Sequence, residues 1–151
     1  MNGVLYLATY GSVMDGRQMC LMSDSAELIG YGMLDGYRLL FRGNKNHAIA
    51  SLEANDGASV PFALWEIPAD DAINFDLLNR FPDFTNKRLM DVTVQDIQVS
   101  AIIYSVKDTY PINLPSKCYL ENMLDVYESV GIDPSALENA LDYCADYVEM
   151  R

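Results

Sequence analysis

The stretch VLYLATYGS, residues 4–12, decides the fold prediction because an apolar run leads directly into a glycine turn. The apolar residues at 4–8 predict a β-strand. Gly11 has no Cβ, so the backbone there can turn tightly and bring its amide groups close to a ligand. The sequence therefore predicts a strand that ends at a candidate binding loop formed by Tyr10, Gly11 and Ser12.

The length of the chain, 151 residues, predicts a single domain over residues 1–151. A chain of this size buries roughly 70% of the surface that its unfolded form exposes, and a hydrophobic fraction of 50% supplies the side chains for such a core. The longest apolar runs, at 60–65 and 99–104, are shorter than the roughly 20 residues that cross a bilayer. The N-terminal residues lack the pattern of a signal peptide. We therefore expect a cytoplasmic protein that does not enter a membrane.

The charge and the metal-binding residue types exclude several classes of function. A net charge of -12 argues against a nucleic-acid partner, because phosphate contacts need clustered Lys and Arg. Cys20, Cys118 and Cys144 are odd in number and far apart, which predicts reduced, packed thiols rather than disulfides or metal ligands. His47, the single histidine, lies in a polar loop and is expected at the surface. We expect no metal and no other cofactor.

The periodicity of apolar residues predicts an α+β fold. A short helix is expected at 14–22 and one or two strands at 31–41. The turn sequence NDG at 55–57 predicts a hairpin between strands at 48–53 and 60–67. Further on, the pattern predicts a helix opening at residue 68, paired strands at 89–94 and 99–104, and helices at 119–130, ending at Gly131, and at 134–149. Strands dominate the first part of the chain and helices the last, as in α+β proteins.

A second motif, FDLLNRFP at residues 75–82, gives the chain a family resemblance. Together with YGS at 10–12 it resembles the γ-glutamylcyclotransferase family (AIG2-like proteins), whose stretches read roughly Tyr-Gly-Ser-Asn and Leu-Asp-x-x-Glu-Gly-x-Pro. Further pieces follow in the family's order: LDGYRLLF at 34–41, Trp65 in an apolar strand, and Pro115 with Tyr119. The resemblance implies a small mixed β-barrel flanked by helices, with the last helix as an addition.

The resemblance also implies a reaction and a set of site residues. Members of the family release 5-oxoproline when the α-amine of a γ-glutamyl compound attacks its own γ-carbonyl and expels the attached amine. The family's Glu removes the proton from the ammonium group, and Asn79 occupies its position here. An amide cannot carry out that proton transfer. By the same resemblance, Tyr10, Gly11, Ser12 and Tyr119 would contact a small-molecule substrate.

Other positions depart from the family pattern, and several functions remain open. Val13 replaces an Asn, Arg80 replaces a Gly, and Thr85 replaces a Tyr. Arg80 could bind a carboxylate ligand or fill the cavity with a salt bridge. The leading interpretation is a protein that binds a γ-glutamyl or other amino-acid-derived ligand, with weak, altered or absent cyclotransferase activity.

Alternative interpretations need other residues. An active cyclotransferase requires a substitute base, for which Asp76, Asp83, Glu53 and Glu66 are the candidates. A third interpretation is an interaction module whose pocket has closed.

Overall fold

The computed structural model describes residues 3–11 and 13–150 of the chain, and within them it has five strands packed with helices. In chain order the elements are β1 (Val4–Thr9), α1 (Gly16–Met22), β2 (Glu27–Arg42), β3 (Ile49–Pro68), a 3₁₀ turn (Ala69–Asp71), α2 (Ala72–Leu78), β4 (Thr85–Val94), β5 (Ile97–Val106), α3 (Lys117–Val130) and α4 (Ser135–Glu149). The predicted α+β class is confirmed.

The strands form a mixed sheet in the order β2-β3-β1-β5-β4. The central strand β1 is antiparallel to β3 and parallel to β5, with Leu7 opposite Ile102. The sheet curls until its edge strands β2 and β4 touch. A Cβ added at Gly30 on β2 would lie 2.9 Å from the Cγ1 atom of Val94 on β4, so only glycine allows this approach. The sheet is therefore barrel-like, as the family resemblance implies.

The predicted hairpin turn at 55–57 is wrong. β2 and β3 remain paired on both sides of this segment, with Tyr37 opposite Ala54 and Asp35 opposite Ser59. The segment is thus an irregular bulge within one long strand, and its glycine has a φ of +85°. Residues that favour a turn also suit a bulge, because both need backbone conformations that glycine adopts readily. The actual β2–β3 hairpin turns at residues 43–48.

The C-terminal helices cover one face of the sheet. α3 ends where Gly131 adopts a left-handed conformation with φ 76°, as the sequence predicts for a helix C-terminus. α4 packs against β2 and buries Leu137, Ala140 and Cys144. The backbone N–H of Phe41 in β2 lies 3.4 Å from the Cys144 sulfur. This contact seats the helix on the sheet.

Two of the cysteines do not meet the expectation of packed thiols. Cys144 is buried, whereas Cys20 and Cys118 are exposed. Each of the exposed pair lies on the outer side of its helix. The buried apolar residues of each helix lie on the other side, which faces the core. His47 is exposed, as expected. No helix formed by residues 3–11 and 13–150 is long and apolar enough to span a bilayer.

Candidate functional site

A cavity of about 240 Å³ opens where the end of β1 meets α2, β5 and α3. We call it the motif cavity because four of the predicted site residues, Tyr10, Gly11, Asn79 and Tyr119, line it. Ser12, the remaining predicted site residue, lies outside the described residues. The full lining comprises Leu7, Ala8, Thr9, Tyr10, Gly11, Val13, Ile49, Ala50, Phe75, Leu78, Asn79, Tyr104 and Tyr119.

The wall at the end of β1 depends on a glycine. A Cβ added at Gly11 would lie 3.4 Å from the hydroxyl of Tyr119 and 3.5 Å from the Cβ of Ala50. Tyr119 is in the first turn of α3, where its backbone N–H donates to the capping Ser116 hydroxyl at 3.1 Å. Its own hydroxyl accepts a hydrogen bond from the Ala50 N–H at 3.0 Å. The ends of β1, β3 and α3 therefore meet at this wall, and glycine keeps the space open.

Asn79 lines the motif cavity from the C-terminal end of α2. Its Nδ2 atom donates to the Phe75 carbonyl at 2.8 Å, and its backbone carbonyl accepts a hydrogen bond from the Thr85 hydroxyl at 2.9 Å. Thr85 is buried, so this bond satisfies one of the free carbonyls at the helix end. The side-chain carbonyl of Asn79 receives no hydrogen bond from any described residue. Asn79 thus offers the cavity an acceptor but no proton-transfer group.

Tyr104 on β5 links the cavity to an ion pair behind it. Its hydroxyl donates to Asp76 Oδ1 at 2.5 Å, and Lys87 Nζ lies 2.9 and 3.1 Å from the two carboxylate oxygens. Lys87 and Tyr104 are directly opposite each other on β4 and β5. Burial alone raises the pKa of Asp76, but the hydrogen bonds from Tyr104 and Lys87 and the charge of Lys87 together lower it below its usual range. Asp76 is therefore a poor proton acceptor.

The tyrosines of the motif cavity are neutral phenols at physiological pH. Burial raises the pKa of Tyr10 and, together with the hydrogen bond to Asp76, that of Tyr104. Burial also raises the pKa of Tyr119 to about 12. The Tyr10 hydroxyl donates to the Tyr104 backbone carbonyl at 2.5 Å. Because none of the described lining residues is acidic or basic, these residues provide no general base near neutral pH.

The candidate substitute bases lie elsewhere. Asp83 is exposed, and Glu53 pairs with Arg38 at 3.1 Å. Asp83, Glu53, Glu66 and Asp76 are all absent from the described lining of the motif cavity. The active-enzyme interpretation requires a carboxylate near the ligand, and the described residues that line the motif cavity do not provide one.

Arg80 also lies outside the motif cavity. Its guanidinium carbon is 4.8 Å from the ring centroid of Phe84, and its side chain is exposed. Of the two roles that the sequence left open for Arg80, filling the cavity or binding a carboxylate there, neither is supported by this position. Its backbone has a φ of 52°, the left-handed conformation that follows a helix end. Glycine adopts that conformation without strain, which explains why the family that the sequence resembles has a Gly at this position.

A larger hollow of about 410 Å³ lies between β2, β3 and α4. Arg38 borders it and lies 3.6 Å above the centroid of the Tyr143 ring. None of the motif residues lines this hollow. Among residues 3–11 and 13–150, no group of His, Cys, Asp or Glu side chains is arranged to hold a metal ion.

Two residues that line the motif cavity, Tyr104 and Thr9, were not among the predicted site residues. Thr9 accepts a hydrogen bond from the Trp65 indole N–H at 3.1 Å, which fixes the end of β1. Tyr104 shares a strand face with Ile102, since side chains alternate along a strand. That alternation was a usable signal. It identifies the cavity face only once β5 is known to lie beside β1, and the apolar pattern of the two strands does not encode that pairing.

Comparison with solved structures shows what this architecture resembles. No protein-family model and no curated protein matches the sequence. A γ-glutamyl cyclotransferase structure matches with a TM-score of 0.79 at 16% identity, over 91% of this chain and 86% of that one. An uncharacterized protein from Homo sapiens matches with a TM-score of 0.76 at 16% identity, over 95% of this chain and 85% of that one.

An AIG2-like protein from Mus musculus matches over a shorter part. Its TM-score is 0.59 at 18% identity, and the match covers 72% of this chain and 80% of that one. Identities this low establish shared architecture rather than shared chemistry. The motif order predicted the same architecture, and the chain has the γ-glutamylcyclotransferase-like fold.

Proposed function

We propose that this protein binds a small γ-glutamyl or other amino-acid-derived ligand in the motif cavity and has little or no cyclotransferase activity. A single observation carries the proposal: the cavity is open between Gly11, Asn79 and Tyr119, and its described lining has no carboxylate. An open cavity supports binding. The missing carboxylate removes the group that would take the proton from the ligand's amine.

The shape of the motif cavity suits a small ligand. Its volume of about 240 Å³ lies just below the range of drug-sized pockets. Most of the lining is apolar, with a few polar groups at its ends, as in sites that fix the orientation of a small molecule. At the Gly11 end, the hydroxyl of Tyr119 can donate to a ligand carboxylate. We also propose that the backbone amides of Gly11 and Ser12 bind this carboxylate.

The active-enzyme interpretation receives less support. General acid/base catalysis contributes typically about 10²–10⁴-fold to a rate, and here the ammonium nucleophile also has to lose a proton before it can attack. The tyrosines that line the cavity have raised pKa values and remain protonated. We also place the protein in the cytoplasm, since its cysteines are free thiols.

A blocking substitution tests the proposal. The Cβ direction at Gly11 points toward Tyr119 and Ala50, so the side chain of Gly11→Leu enters the motif cavity. Gly3→Leu is the matched control, because Gly3 is exposed and has no atom within 4 Å of an added Cβ. We expect γ-glutamyl-alanine to bind the unmodified protein and Gly3→Leu equally, and Gly11→Leu at least about tenfold more weakly, measured by isothermal titration calorimetry.

Two results oppose the proposal. If the unmodified protein does not bind γ-glutamyl-alanine or its free amino-acid parts, the ligand class is wrong. If the folded Gly11→Leu variant binds as well as Gly3→Leu, the ligand lies elsewhere. Release of 5-oxoproline at about 10 per second, an ordinary enzymatic rate, would contradict the assignment of low activity.

A further inference from the structure

The hydrogen bonds behind the motif cavity fix the direction of a phenol. Asp76 is an ionised carboxylate, which only accepts hydrogen bonds, and Lys87 holds it in place through both of its oxygens. The single proton of the Tyr104 hydroxyl is therefore directed to Asp76. The lone pairs of the Tyr104 oxygen remain for whatever occupies the cavity. A chain of hydrogen bonds polarises its members, so donation to a carboxylate makes this oxygen a stronger acceptor.

The Tyr119 hydroxyl, on another part of the cavity wall, has the reverse polarity. The hydroxyl of Tyr119 accepts the Ala50 N–H at 3.0 Å, and no described residue accepts its proton, which is free to donate into the cavity. Asn79 resembles Tyr104, because one of its amide hydrogens is directed to the Phe75 carbonyl and its side-chain oxygen remains free. The cavity thus has a donor end at Tyr119 and an acceptor end at Tyr104 and Asn79.

We propose that Tyr104 is a specificity-determining residue of the motif cavity, and that its oxygen, kept as an acceptor by Asp76 and Lys87, binds the amino group of the ligand. This inference rests on the proposed function, since it assumes that a small amino-acid-derived molecule enters the cavity. Asp76 and Lys87 are positioning residues, because they act on the ligand through Tyr104. The arrangement selects ligands with a free amine over analogues without one.

Two ligands and two tyrosine variants separate the roles of the walls. γ-Glutamyl-alanine and glutaryl-alanine share a skeleton and differ in the α-amino group. We expect the unmodified protein to bind γ-glutamyl-alanine about tenfold more tightly or better, since hydrogen bonds to charged groups are among the stronger ones. Tyr104→Phe should remove this preference and leave the affinity for glutaryl-alanine unchanged. Tyr119→Phe should weaken both ligands alike, because the carboxylate that it contacts is common to them.

A third variant distinguishes the direction of the phenol from its mere presence. Asp76→Leu keeps the Tyr104 hydroxyl but frees its proton to turn into the cavity, so we expect the preference for the amine to fall here too. If Tyr104→Phe does not fold, this variant alone decides the inference. An amine preference that survives in the folded variants, or an equal loss for both ligands in Tyr104→Phe, overturns the inference while leaving the proposed function intact. Absence of binding to either ligand by the unmodified protein overturns both.

Discussion

Replacing Asn79 by Glu should produce cyclotransferase activity. The substitution returns a carboxylate to the end of α2, one methylene longer than the present side chain. A carboxylate cannot donate to the Phe75 carbonyl, which Asn79 Nδ2 reaches at 2.8 Å, so repulsion turns it away from that carbonyl and toward the cavity. Arg80 does not neutralise it, because its guanidinium lies over Phe84. A largely apolar surrounding raises the pKa of such a carboxyl toward the range that suits a general base.

The expected magnitudes follow from these contacts. Loss of the Asn79–Phe75 hydrogen bond should cost about 1 kcal/mol of unfolding free energy. That is a small part of the roughly 5–15 kcal/mol that a domain has, so the variant should fold. The gain in rate should be about 10²–10⁴-fold, the usual contribution of a positioned acid or base.

The assay is chromatographic detection of 5-oxoproline released from γ-glutamyl-alanine. Asn79→Gln is the matched control, because its side chain has the length of Glu and keeps the uncharged amide. We expect Asn79→Glu to exceed Asn79→Gln by at least about a hundredfold, with a rate that rises as the new carboxyl ionises. If Asn79→Glu folds, binds γ-glutamyl-alanine and releases no more product than Asn79→Gln, then the absence of a base at position 79 is not what limits turnover.

Further predictions concern the surroundings of the cavity. Arg80 has a φ of 52°, a conformation that glycine adopts without strain, so Arg80→Gly should be about 1 kcal/mol more stable to denaturant than Arg80→Ala. Arg80→Ala is the control, because it loses the same Phe84 contact without relieving the backbone, and equal stabilities would contradict this reasoning. The pKa of Asp76 is lowered in the folded state, so its ion pair stabilises the protein above the ordinary aspartate pKa of about 4, and this stabilisation is lost as the pH falls through the lowered value. Asp76→Asn should therefore be less stable than the unmodified protein by about 1 kcal/mol at neutral pH, and urea unfolding should show the gap narrowing in acid; a gap that widens in acid would refute the assignment.

Local patterns predicted most of the fold, and the errors arose where one pattern suits two structures. The strand at β1, the β4–β5 pair and the glycine end of α3 follow from apolar alternation and turn residues close together in the chain. The segment NDG at 55–57 satisfies a hairpin turn and a bulge equally well. Which of the two forms is decided by the pairing of this segment with β2, which continues on both sides of residues 55–57. That pairing joins residues far apart in the sequence, so the local pattern does not predict it.

The candidate site was predictable only as far as its motifs. The sequence indicated Tyr10, Gly11, Asn79 and Tyr119, which the structure brings to one cavity. It did not indicate the acceptor role of Tyr104, which depends on contacts with Asp76 across 28 positions and with Lys87 on the adjacent strand. The direction of a hydrogen bond depends on the partners that the fold brings together, so the type of a single residue does not predict it.

The structure also shows how the wall of the motif cavity is held in place with an amide at position 79. Asn79 donates to the Phe75 carbonyl from its backbone N–H at 3.0 Å and from its side chain at 2.8 Å. Thr85 donates to the Asn79 carbonyl at 2.9 Å, so the end of α2 is held by groups on both sides. This end carries Phe75 and Leu78 into the cavity wall. The amide at position 79 therefore stabilises the frame of the site, and a carboxylate there would lose that donor. The same amide that closes the helix end cannot transfer a proton, so the proposed low activity and the intact cavity would both follow from the residue at position 79.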